Sequence, residues 1–545
     1  TGATAKWETP GGSRRRRSFG KVRFNPMERR RCNMRWPALF LALCLLLSGC
    51  GGEMELDDSS EDMAPWMTVE EEEGEEPDVE PGLTSFALAY HEGQTLDPLT
   101  CGDGIQLQLT MLLYEPLFQL DDAFQAQPVL CSGYTVSEDG LVYTLSIRQG
   151  VTFSDGSLLE ASDAAVSLRR AMASQRYGSR LEDIRQVTTR GSSEVVISLS
   201  QPNSRLPALL DIPVVKAGSE ESGIPVGTGP YLLITSGDGA YLATNSDWWQ
   251  GKDLPLDRIA LVDAKDSDTV LYLFTSREIH VYAADLTQGN TALTGSLDTQ
   301  DIPTATMQFI GLNTRHALLQ NQSLRQALQL GIPRGTVVEG YLSSHALPSQ
   351  FPISPAAGDY PESMETDYSL DAYRQALLSA LSGEETQQHT LTLLVNSGSE
   401  SKTAIAEYLA QSLSVEGILQ VEVEALPWAE YLAALEAGAF DLYYGEVRLT
   451  ADWDISALVG TGGSLNYGQW SAVDTDAILG AYQAGGGTEA YHLYQHIKET
   501  VPFIPVCFKN DSLLTHSGTV ENIQATAANI FYNFPNWIIH LVQSE

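Results

Sequence analysis

Short β-like runs alternate with amphipathic helical stretches along residues 82–545, and this alternation narrows the choice of fold more than any other feature. Apolar residues in the strand-like runs either alternate or run continuously, and several helical stretches begin after Ser, Thr or Asp, as helices commonly do. The pattern predicts an α/β fold. No repeat of roughly 20 to 50 residues is visible, which argues against a solenoid or a propeller.

The predicted elements differ between two parts of the chain. Residues 119–221 are rich in strand and turn signals, with a hairpin turn at Ser137-Glu138-Asp139-Gly140, whereas residues 310–500 alternate helix and strand. The predicted strands are Thr84–Ala89, Val142–Arg148, Val195–Leu199, Gln308–Leu312, Leu391–Val395, Leu419–Glu424, Asp441–Glu446 and Ile504–Phe508. The predicted helices are Gln106–Tyr114, Ala161–Ala173, Ser323–Gly331, Ser369–Leu381, Lys402–Val415, Trp428–Gly438 and Thr488–Thr500.

The charge balance excludes one class of partner. The 545 residues include 70 Asp or Glu and 32 Lys or Arg, a formal net charge of −38. A protein of this sign repels phosphate backbones, so we expect no nucleic-acid partner. The charge is uneven, because residues 1–49 hold 11 Lys or Arg and 2 Asp or Glu. A short basic head on a long acidic body indicates a targeting segment.

The head has the three parts of a secretion signal. Basic residues at 29–35 precede an apolar run of 12 residues at 36–47, and Leu47-Ser48-Gly49-Cys50 follows. The run is shorter than the roughly 20 residues that a transmembrane helix needs. Leu47-Ser48-Gly49-Cys50 resembles the lipobox of bacterial lipoproteins, in which the Cys is lipidated.

We expect residues 1–26 to be translated from upstream of the protein's own start and to have no structural role. Residues 27–49 are then a lipoprotein signal peptide, and acyl chains on Cys50 hold the protein to the cell membrane. Residues 50–82 follow as a disordered acidic tether, because residues 51–81 contain 14 Asp or Glu and no Lys or Arg. The alternatives are a buried amino-terminal helix, an ordinary cleaved signal, and an acidic tail that binds metal.

The cysteines and histidines suggest little chemistry. Of six cysteines, Cys101, Cys131 and Cys507 lie in the body of the chain, and an exported protein favours a disulfide between Cys101 and Cys131. His492 and His496 share one face of a predicted helix with Glu499 nearby, which is either a metal site or an exposed helix face.

Motifs of the common hydrolases, metalloproteases and phosphate-binding loops are missing from the sequence. Gly227-Thr228-Gly229-Pro230 is better read as a turn into a strand at Tyr231, because proline lacks a backbone donor and no helix follows. Ala451-Asp452-Trp453-Asp454 follows a predicted strand. A carboxylate beside an indole at the end of a strand can bind a cationic group of a ligand. The alternative is that these residues form a surface loop without a binding role.

Several motifs, in order along residues 84–545, resemble the family 5 extracellular solute-binding proteins, which are peptide, oligopeptide and nickel receptors of bacterial ABC importers. They are Leu96-Asp97-Pro98, Tyr114-Glu115-Pro116-Leu117, Gln127-Pro128-Val129-Leu130, the block at residues 143–156, Gly227-Thr228-Gly229-Pro230-Tyr231, Asn245-Ser246-Asp247-Trp248-Trp249, Ile310-Gly311-Leu312-Asn313 and Leu324-Arg325-Gln326-Ala327-Leu328.

The resemblance implies a periplasmic-binding-protein-like fold of two α/β lobes joined by a hinge, with ligand enclosed between them. Lobe I would comprise residues 83–118, 222–305 and 501–545, with an extra subdomain at 119–221, and lobe II would comprise residues 306–500. The strands near Phe309–Asn313 and Ile504–Phe508 would cross between the lobes.

The resemblance also implies site residues. Asp452 stands where peptide-binding members place the Asp that pairs with the ligand's α-ammonium, although Trp453 replaces the family's Tyr and Ile455 its Pro. Backbone groups of Arg448 and Thr450 would pair with an extended ligand, and Arg448 would also suit a carboxylate. The weaker candidates are Glu115, Asn466 and Tyr467, while Trp248 and Trp249 are expected to be packing residues.

The predicted function is a lipid-anchored, extracytoplasmic receptor, a monomer without cofactor or resident metal, that captures short peptides and passes them unaltered to an ABC permease. The alternatives are a nickel or metal-chelate receptor of the same fold, a secreted hydrolase, and a surface receptor that binds ligand without transport.

Overall fold

The computed structural model describes residues 83–237, 239–288, 293–382 and 388–542. The expected signal peptide, the lipidated Cys50 and the acidic tether all lie outside these residues. The helices are α1 Gly104–Leu113, α2 Ala161–Met172, α3 Ser267–Thr275, α4 Gln322–Leu330, α5 Arg334–Tyr341, α6 Leu370–Ala380, α7 Glu400–Leu413, α8 Trp428–Ala437, α9 Ser456–Val459, α10 Val473–Ala484 and α11 Gly487–Thr500.

The strands form three main sheets and two short ribbons. They are β1 Ala87–Tyr90, β2 Phe118–Leu120, β3 Ala126–Pro128, β4 Cys131–Val136, β5 Val142–Ile147, β6 Ile184–Arg190, β7 Glu194–Leu199, β8 Tyr231–Ser236, β9 Gly239–Thr244, β10 Arg258–Asp263, β11 Tyr282–Ala284, β12 Leu297–Leu312, β13 Ala346–Pro348, β14 His389–Asn396, β15 Leu419–Leu426, β16 Leu442–Arg448, β17 Phe503–His516, β18 Val520–Glu521 and β19 Ile538–Ile539. Every predicted strand and helix is therefore confirmed, with ends shifted by a few residues except in β12 and β17, which are much longer than predicted.

The first main sheet has the strand order β1–β10–β9–β8. Strand β1 runs parallel to β10, and the other neighbours are antiparallel. Leu88 and Ile259 of this sheet share one buried core with Leu109 and Leu112 of α1. The sheet and helix thus fix the end of α1, which the segment carrying Glu115 follows.

The second main sheet is antiparallel, with the order β4–β5–β7–β6, and a ribbon of β2 and β3 precedes it along the chain. The amide of Ser137 donates to the carbonyl of Val142 over 2.9 Å, and Gly140 has φ +70°. These contacts confirm the predicted hairpin turn. The inward residues Leu145 and Ile197 pack with Leu168 of α2.

The third main sheet has the order β11–β17–β12–β16–β14–β15, and β13 pairs with β17. Its two longest strands, β12 and β17, pair along most of their length, but their register shifts between Pro303 and Met307. Thr304 Oγ1 donates to the carbonyl of Lys509 over 2.7 Å within this break. Both segments predicted to cross between the lobes lie in these strands, apart from Asn313, which directly follows β12.

The motif Leu324-Arg325-Gln326-Ala327-Leu328 has a structural explanation in α4. The buried guanidinium of Arg325 donates to the carbonyls of Leu319 and Thr500, over 2.8 and 2.7 Å, and also to those of Gln320 and Val501. Desolvation lowers the pKa of Arg325. The bonds to Thr500 and Val501 satisfy carbonyls at the end of α11 that have no partner within the helix. The bonds to Leu319 and Gln320 connect α4 to the short helical turn that precedes it.

Gly227 and Gly229 allow a close approach between two chain segments. A Cβ atom on Gly227 would lie 2.1 Å from the carbonyl oxygen of Leu113, and one on Gly229 would lie 2.5 Å from the carbonyl carbon of the same residue. Strand β8 begins at Tyr231, which confirms the predicted turn into a strand. The turn brings Thr228 to Glu115.

The expected disulfide is not formed. Cys101, Cys131 and Cys507 are all buried free thiols. The thiol of Cys101 contacts the carbonyl of Asp103, and that of Cys131 contacts the carbonyl of Gly133. Each sulfur therefore faces its own local backbone, and burial raises the pKa of both thiols.

No helix among the described residues has both the length and the apolar character needed to cross a bilayer.

Candidate ligand-binding cleft

A cavity of 450 Å³ collects residues that are far apart in the chain. Part of its lining comes from α1, the loop between β2 and β3, and the Arg176–Arg180 turn. The rest comes from Asp211 and Pro213, from Pro303 and Ala305 beside the register break of β12, and from residues 448–451 and 525–528. The sheet that contains β12 and β16 therefore meets the β2–β7 region around this cavity.

The loop after β16 presents the predicted ligand contacts. Arg448 ends β16, and the next residue, Leu449, donates its amide to the carbonyl of Ala305 over 2.9 Å. Trp453 then takes φ +57° and donates its amide to the carbonyl of Thr450 over 2.9 Å. This tight turn puts Arg448 and Thr450 on the 450 Å³ cavity.

Trp453 is an anchor of this loop. Its side chain is 3% exposed, and its ring packs edge-on against Phe124 and Phe508, with centroid distances of 5.0 and 5.9 Å. Positive φ is uncommon for a non-glycine residue, and the packed indole holds Trp453 in this conformation.

Asp452 lines a second cavity of 310 Å³, which also contacts Arg448 and Thr450. The Asp452 side chain accepts hydrogen bonds from Thr450 Oγ1 over 2.5 Å and from Asn203 Nδ2 over 2.9 Å. The residue is 6% exposed, and this burial raises its pKa. Among the ion pairs of the described residues, none involves Asp452.

Residues 203–205, which we call the clasp, reach from the end of the β4–β7 sheet to the region of α10. Besides the bond from Asn203 to Asp452, the amide of Ser204 donates to the carbonyl of Gln483 over 2.7 Å. Arg205 pairs with Asp359 over 2.5 Å and lies over the ring of Tyr482 at 4.5 Å. The clasp thus joins two distant parts of the chain beside the candidate site.

The positive and negative side chains that line the 450 Å³ cavity are equal in number, three Arg and three Asp, whereas the chain as a whole is strongly acidic. Arg180 pairs with Asp211 over 2.5 Å. Arg448 and Arg176 also line the cavity and have no carboxylate partner among the described ion pairs. The remaining charged lining residues are Asp121 and Asp122.

Glu115 is buried but lines none of the cavities described above. Its carboxylate accepts hydrogen bonds from Thr228 Oγ1 over 2.8 Å, Trp248 Nε1 over 3.2 Å, Trp249 Nε1 over 2.6 Å and Gln250 Nε2 over 2.9 Å. Burial raises its pKa, and these four donors act in the opposite direction. The hydrogen-bonding capacity of Glu115 is thus taken up by protein donors, and the two tryptophans expected to be packing residues also serve as donors to it.

Asn466 is likewise engaged within its own loop, and Tyr467 packs against strand β16. Asn466 donates to the carbonyls of Gly460 and Trp470 over 3.1 and 2.7 Å and accepts from the Trp470 amide. The ring of Tyr467 packs edge-on against Tyr443 at 6.2 Å. Neither residue lines the cavities that contain Arg448, Thr450 and Asp452.

The histidine pair does not assemble as a metal site. His496 Nε2 lies 2.8 Å from Thr475 Oγ1, and His492 Nδ1 lies 3.5 Å from Glu489. Within the part of the chain that the structure describes, no group of three or more His, Cys, Asp or Glu side chains is placed to hold a metal ion.

Asn203, Arg205, Arg176 and Phe124 were not among the residues singled out from the sequence. Asn203 lies 249 positions from Asp452, and Arg205 lies 154 positions from Asp359. Contacts between residues this far apart in the chain leave no local periodicity or motif in the sequence. Only co-variation among homologous sequences carries a signal for such pairs.

Comparisons with known proteins agree with this architecture. The family model "Bacterial extracellular solute-binding proteins, family 5 Middle" matches residues 125–466. The glutathione-binding protein GsiB of Salmonella paratyphi A is 26% identical over 446 residues, covering 76% of this chain and 86% of that protein.

Two solved structures extend the comparison to the fold. The murein tripeptide binding protein MppA, in its unliganded open form, gives a TM-score of 0.71 at 17% identity, covering 84% of this chain and 98% of that chain. NikZ from Campylobacter jejuni, in complex with Ni(L-His), gives a TM-score of 0.58 at 17% identity, covering 84% of this chain and 99% of that chain. The predicted two-lobed α/β fold is therefore confirmed.

Proposed function

Because the chain belongs to the family 5 bacterial extracellular solute-binding proteins, we propose that it binds short peptides in its cleft and delivers them unaltered to an ABC permease. Neither a cofactor nor a resident metal takes part in this function. The protein acts as a monomer outside the cytoplasm. Lobe closure around the peptide is favoured to the extent that the peptide contacts both lobes better in the closed state.

The observation that carries the proposal is the presence of side chains of opposite charge around adjoining cavities. Asp452 and Arg448 both line the 310 Å³ cavity, and Arg448 also lines the 450 Å³ cavity. A short peptide is a zwitterion, with an ammonium at one end and a carboxylate at the other. Charge-assisted hydrogen bonds from such ends are roughly twice as strong as neutral ones.

The partly unpaired edge of β16 supports the proposal that the ligand is an extended peptide. Strand β14 pairs with β16 only at Leu442 and Tyr443, and β12 occupies the other side of β16. Toward Arg448, the strand therefore has one side with no partner among the described strands. A peptide main chain added there gains backbone hydrogen bonds irrespective of its side chains.

The lobe boundaries form part of this proposal: residues 83–118, 222–305 and 501–545 as lobe I, 119–221 as its subdomain, and 306–500 as lobe II. Strand membership supports them, because β1 and β8–β10 lie in the first set, β4–β7 in the second, and β14–β16 in the third.

Lipid anchoring at Cys50 is also proposed, from the apolar run and the four residues that precede the acidic segment. We expect Cys50→Ser to release the protein from cell membranes, because an uncleaved or unlipidated head no longer provides acyl chains. Fractionation of cells measures this. Continued membrane attachment of the variant contradicts the anchor without affecting the binding proposal.

Isothermal titration tests the binding function. The probes are Ala-Ala-Ala, its carboxyl-terminal amide and nickel chloride, with native mass spectrometry to detect co-purified solutes and any cleavage. We expect the free tripeptide to bind at least tenfold more tightly than its amide, and Arg448→Ala to remove that difference. Binding of nickel but of no peptide supports the metal-receptor alternative, and cleavage of a peptide supports the hydrolase.

A further inference from the structure

An aromatic pocket opens beside the charged cleft. It has a volume of 220 Å³, and its walls include Phe118, Phe124, Tyr134, Pro207 and Trp453. Phe124 and Ala451 line both this pocket and the 450 Å³ cavity, so the two spaces adjoin. A ligand in the larger cavity can therefore extend a group into the smaller one.

The pocket is electrically neutral. Its charged lining residues are Arg205 and Asp359, which pair with each other over 2.5 Å. A charged ligand group would have to break this ion pair or remain unpaired in a partly desolvated space, which costs free energy. Ring edges and faces of the wall instead favour an uncharged aromatic group.

The aromatic side chains of the wall differ in exposure. Phe118 is fully buried, and Phe124 is held edge-on to Trp453 at 5.0 Å. Tyr134 is 45% exposed, and its ring packs edge-on against Phe118 at 5.9 Å. A group entering the pocket would cover the exposed face of Tyr134 and so bury apolar surface on both partners.

The volume matches a single aromatic side chain. An apolar cavity of about 150 Å³ accommodates benzene, so a pocket of 220 Å³ has room for a benzyl group. Its walls come from residues 118–134 and 204–208 on one side and from 357–359 and 451–453 on the other. An occupant would touch both predicted lobe regions and stabilise their contact.

We propose that this pocket is a side-chain subsite that selects peptides with an aromatic residue at one position. The inference rests on the proposed peptide-binding function. It assigns to Phe124 and Tyr134 a role in ligand selection, whereas Asp452 and Arg448 act on the charged peptide ends.

The test is a titration series with Ala-Ala-Ala, Phe-Ala-Ala, Ala-Phe-Ala, Ala-Ala-Phe and Ala-Glu-Ala. We expect one of the three phenylalanine peptides to bind at least tenfold more tightly than Ala-Ala-Ala, and Ala-Glu-Ala to bind no more tightly than it. Equal affinities of all alanine and phenylalanine peptides overturn the subsite and leave the receptor function standing. Failure of every peptide to bind overturns both.

Two variants locate the preference. Ala126→Leu narrows the pocket from β3, and Tyr134→Ala removes an exposed wall. In each, the ratio of the affinities for the preferred phenylalanine peptide and for Ala-Ala-Ala should fall to about one. Tyr272→Ala is the matched control, because Tyr272 is 64% exposed on α3 and lines none of the three cavities. A ratio that persists in both pocket variants overturns the assignment. If Ala126→Leu does not fold, Tyr134→Ala decides alone.

Discussion

Glu115 and Asp452 are two buried carboxylates with opposite surroundings. Both have pKa values raised by burial, and neither has a Lys or Arg partner among the described ion pairs. Glu115 accepts from four side-chain donors and lines none of the described cavities. Asp452 has two side-chain donors and lines a cavity. The difference shows that the number of donors and the access to a cavity, rather than burial, separate a structural acid from a candidate ligand contact.

Removing the Glu115 carboxylate should have the largest effect on stability. In Glu115→Ala the indoles of Trp248 and Trp249 lose their acceptor, and buried donors without partners each cost about 1 to 3 kcal/mol. We expect the free energy of unfolding to fall by about 3 kcal/mol or more, measured by chemical denaturation. Glu138→Ala, on the exposed hairpin turn, is the control and should stay within about 0.5 kcal/mol of the unaltered protein. A small loss in Glu115→Ala would contradict the structural role.

Asp452→Asn should affect binding more than folding. The amide keeps the shape of the side chain but removes the charge that we propose pairs with the peptide ammonium, an interaction of about 2 kcal/mol, or roughly thirtyfold in affinity. Calorimetry with Ala-Ala-Ala measures the change, and Asp268→Asn on α3 is the exposed control. Unchanged affinity would show that Asp452 resembles Glu115 after all.

A substitution in the clasp should lower peptide affinity less than Asp452→Asn does. Arg205→Ala removes both the ion pair with Asp359 and the packing on Tyr482, contacts that join the two regions beside Asp452. If they stabilise the closed state, peptide affinity falls by about tenfold through faster dissociation, because apparent affinity scales with the fraction of competent molecules. Arg190→Ala removes the exposed pair with Glu194 and is the control. Equal dissociation rates in stopped flow would argue against a closing role.

The effect of pH should be the smallest and concerns Glu115. Its pKa in the folded protein is raised above the ordinary value of 4.5, so the folded state binds more protons than the unfolded state between these two values. The contribution of Glu115 to stability is therefore fully present below pH 4.5 and is lost as pH rises through the folded-state pKa. Denaturation at several pH values should show a less negative slope for Glu115→Gln than for the unaltered protein over this range. Identical slopes would show that burial does not raise this pKa.

The local elements and the fold were predictable from sequence. Tyr143 and Leu145 alternate with polar neighbours on β5, and Ser369 precedes α6 and caps it through the amide of Ala372. These signals act within a few residues and survive in the folded chain. Strand β12 shows the limit, since only Gln308–Leu312 of its 16 residues was predicted. Its first half contains Asp298, Asp301 and Pro303, which weaken a strand signal until β17 pairs with it.

The candidate site was predictable only in part. Asp452, Arg448 and Thr450 do line adjoining cavities, and their role in binding stays a prediction. Glu115 was grouped with them by motif alone, yet the structure surrounds it with donors from residues 228–250. The sequence contains both carboxylates and all their donors, but it does not show which donors the fold brings into contact with which carboxylate.

By itself, the sequence determined the α/β class, the order of its elements and the identity of the family, because periodicity, caps and ordered motifs are local properties of the chain. Only the tertiary structure decided that Asn203 reaches Asp452, that four donors enclose Glu115, and that Phe124 lines both a charged cavity and an aromatic pocket. These are contacts between residues separated by up to hundreds of positions, and their geometry depends on how the sheets pack against one another.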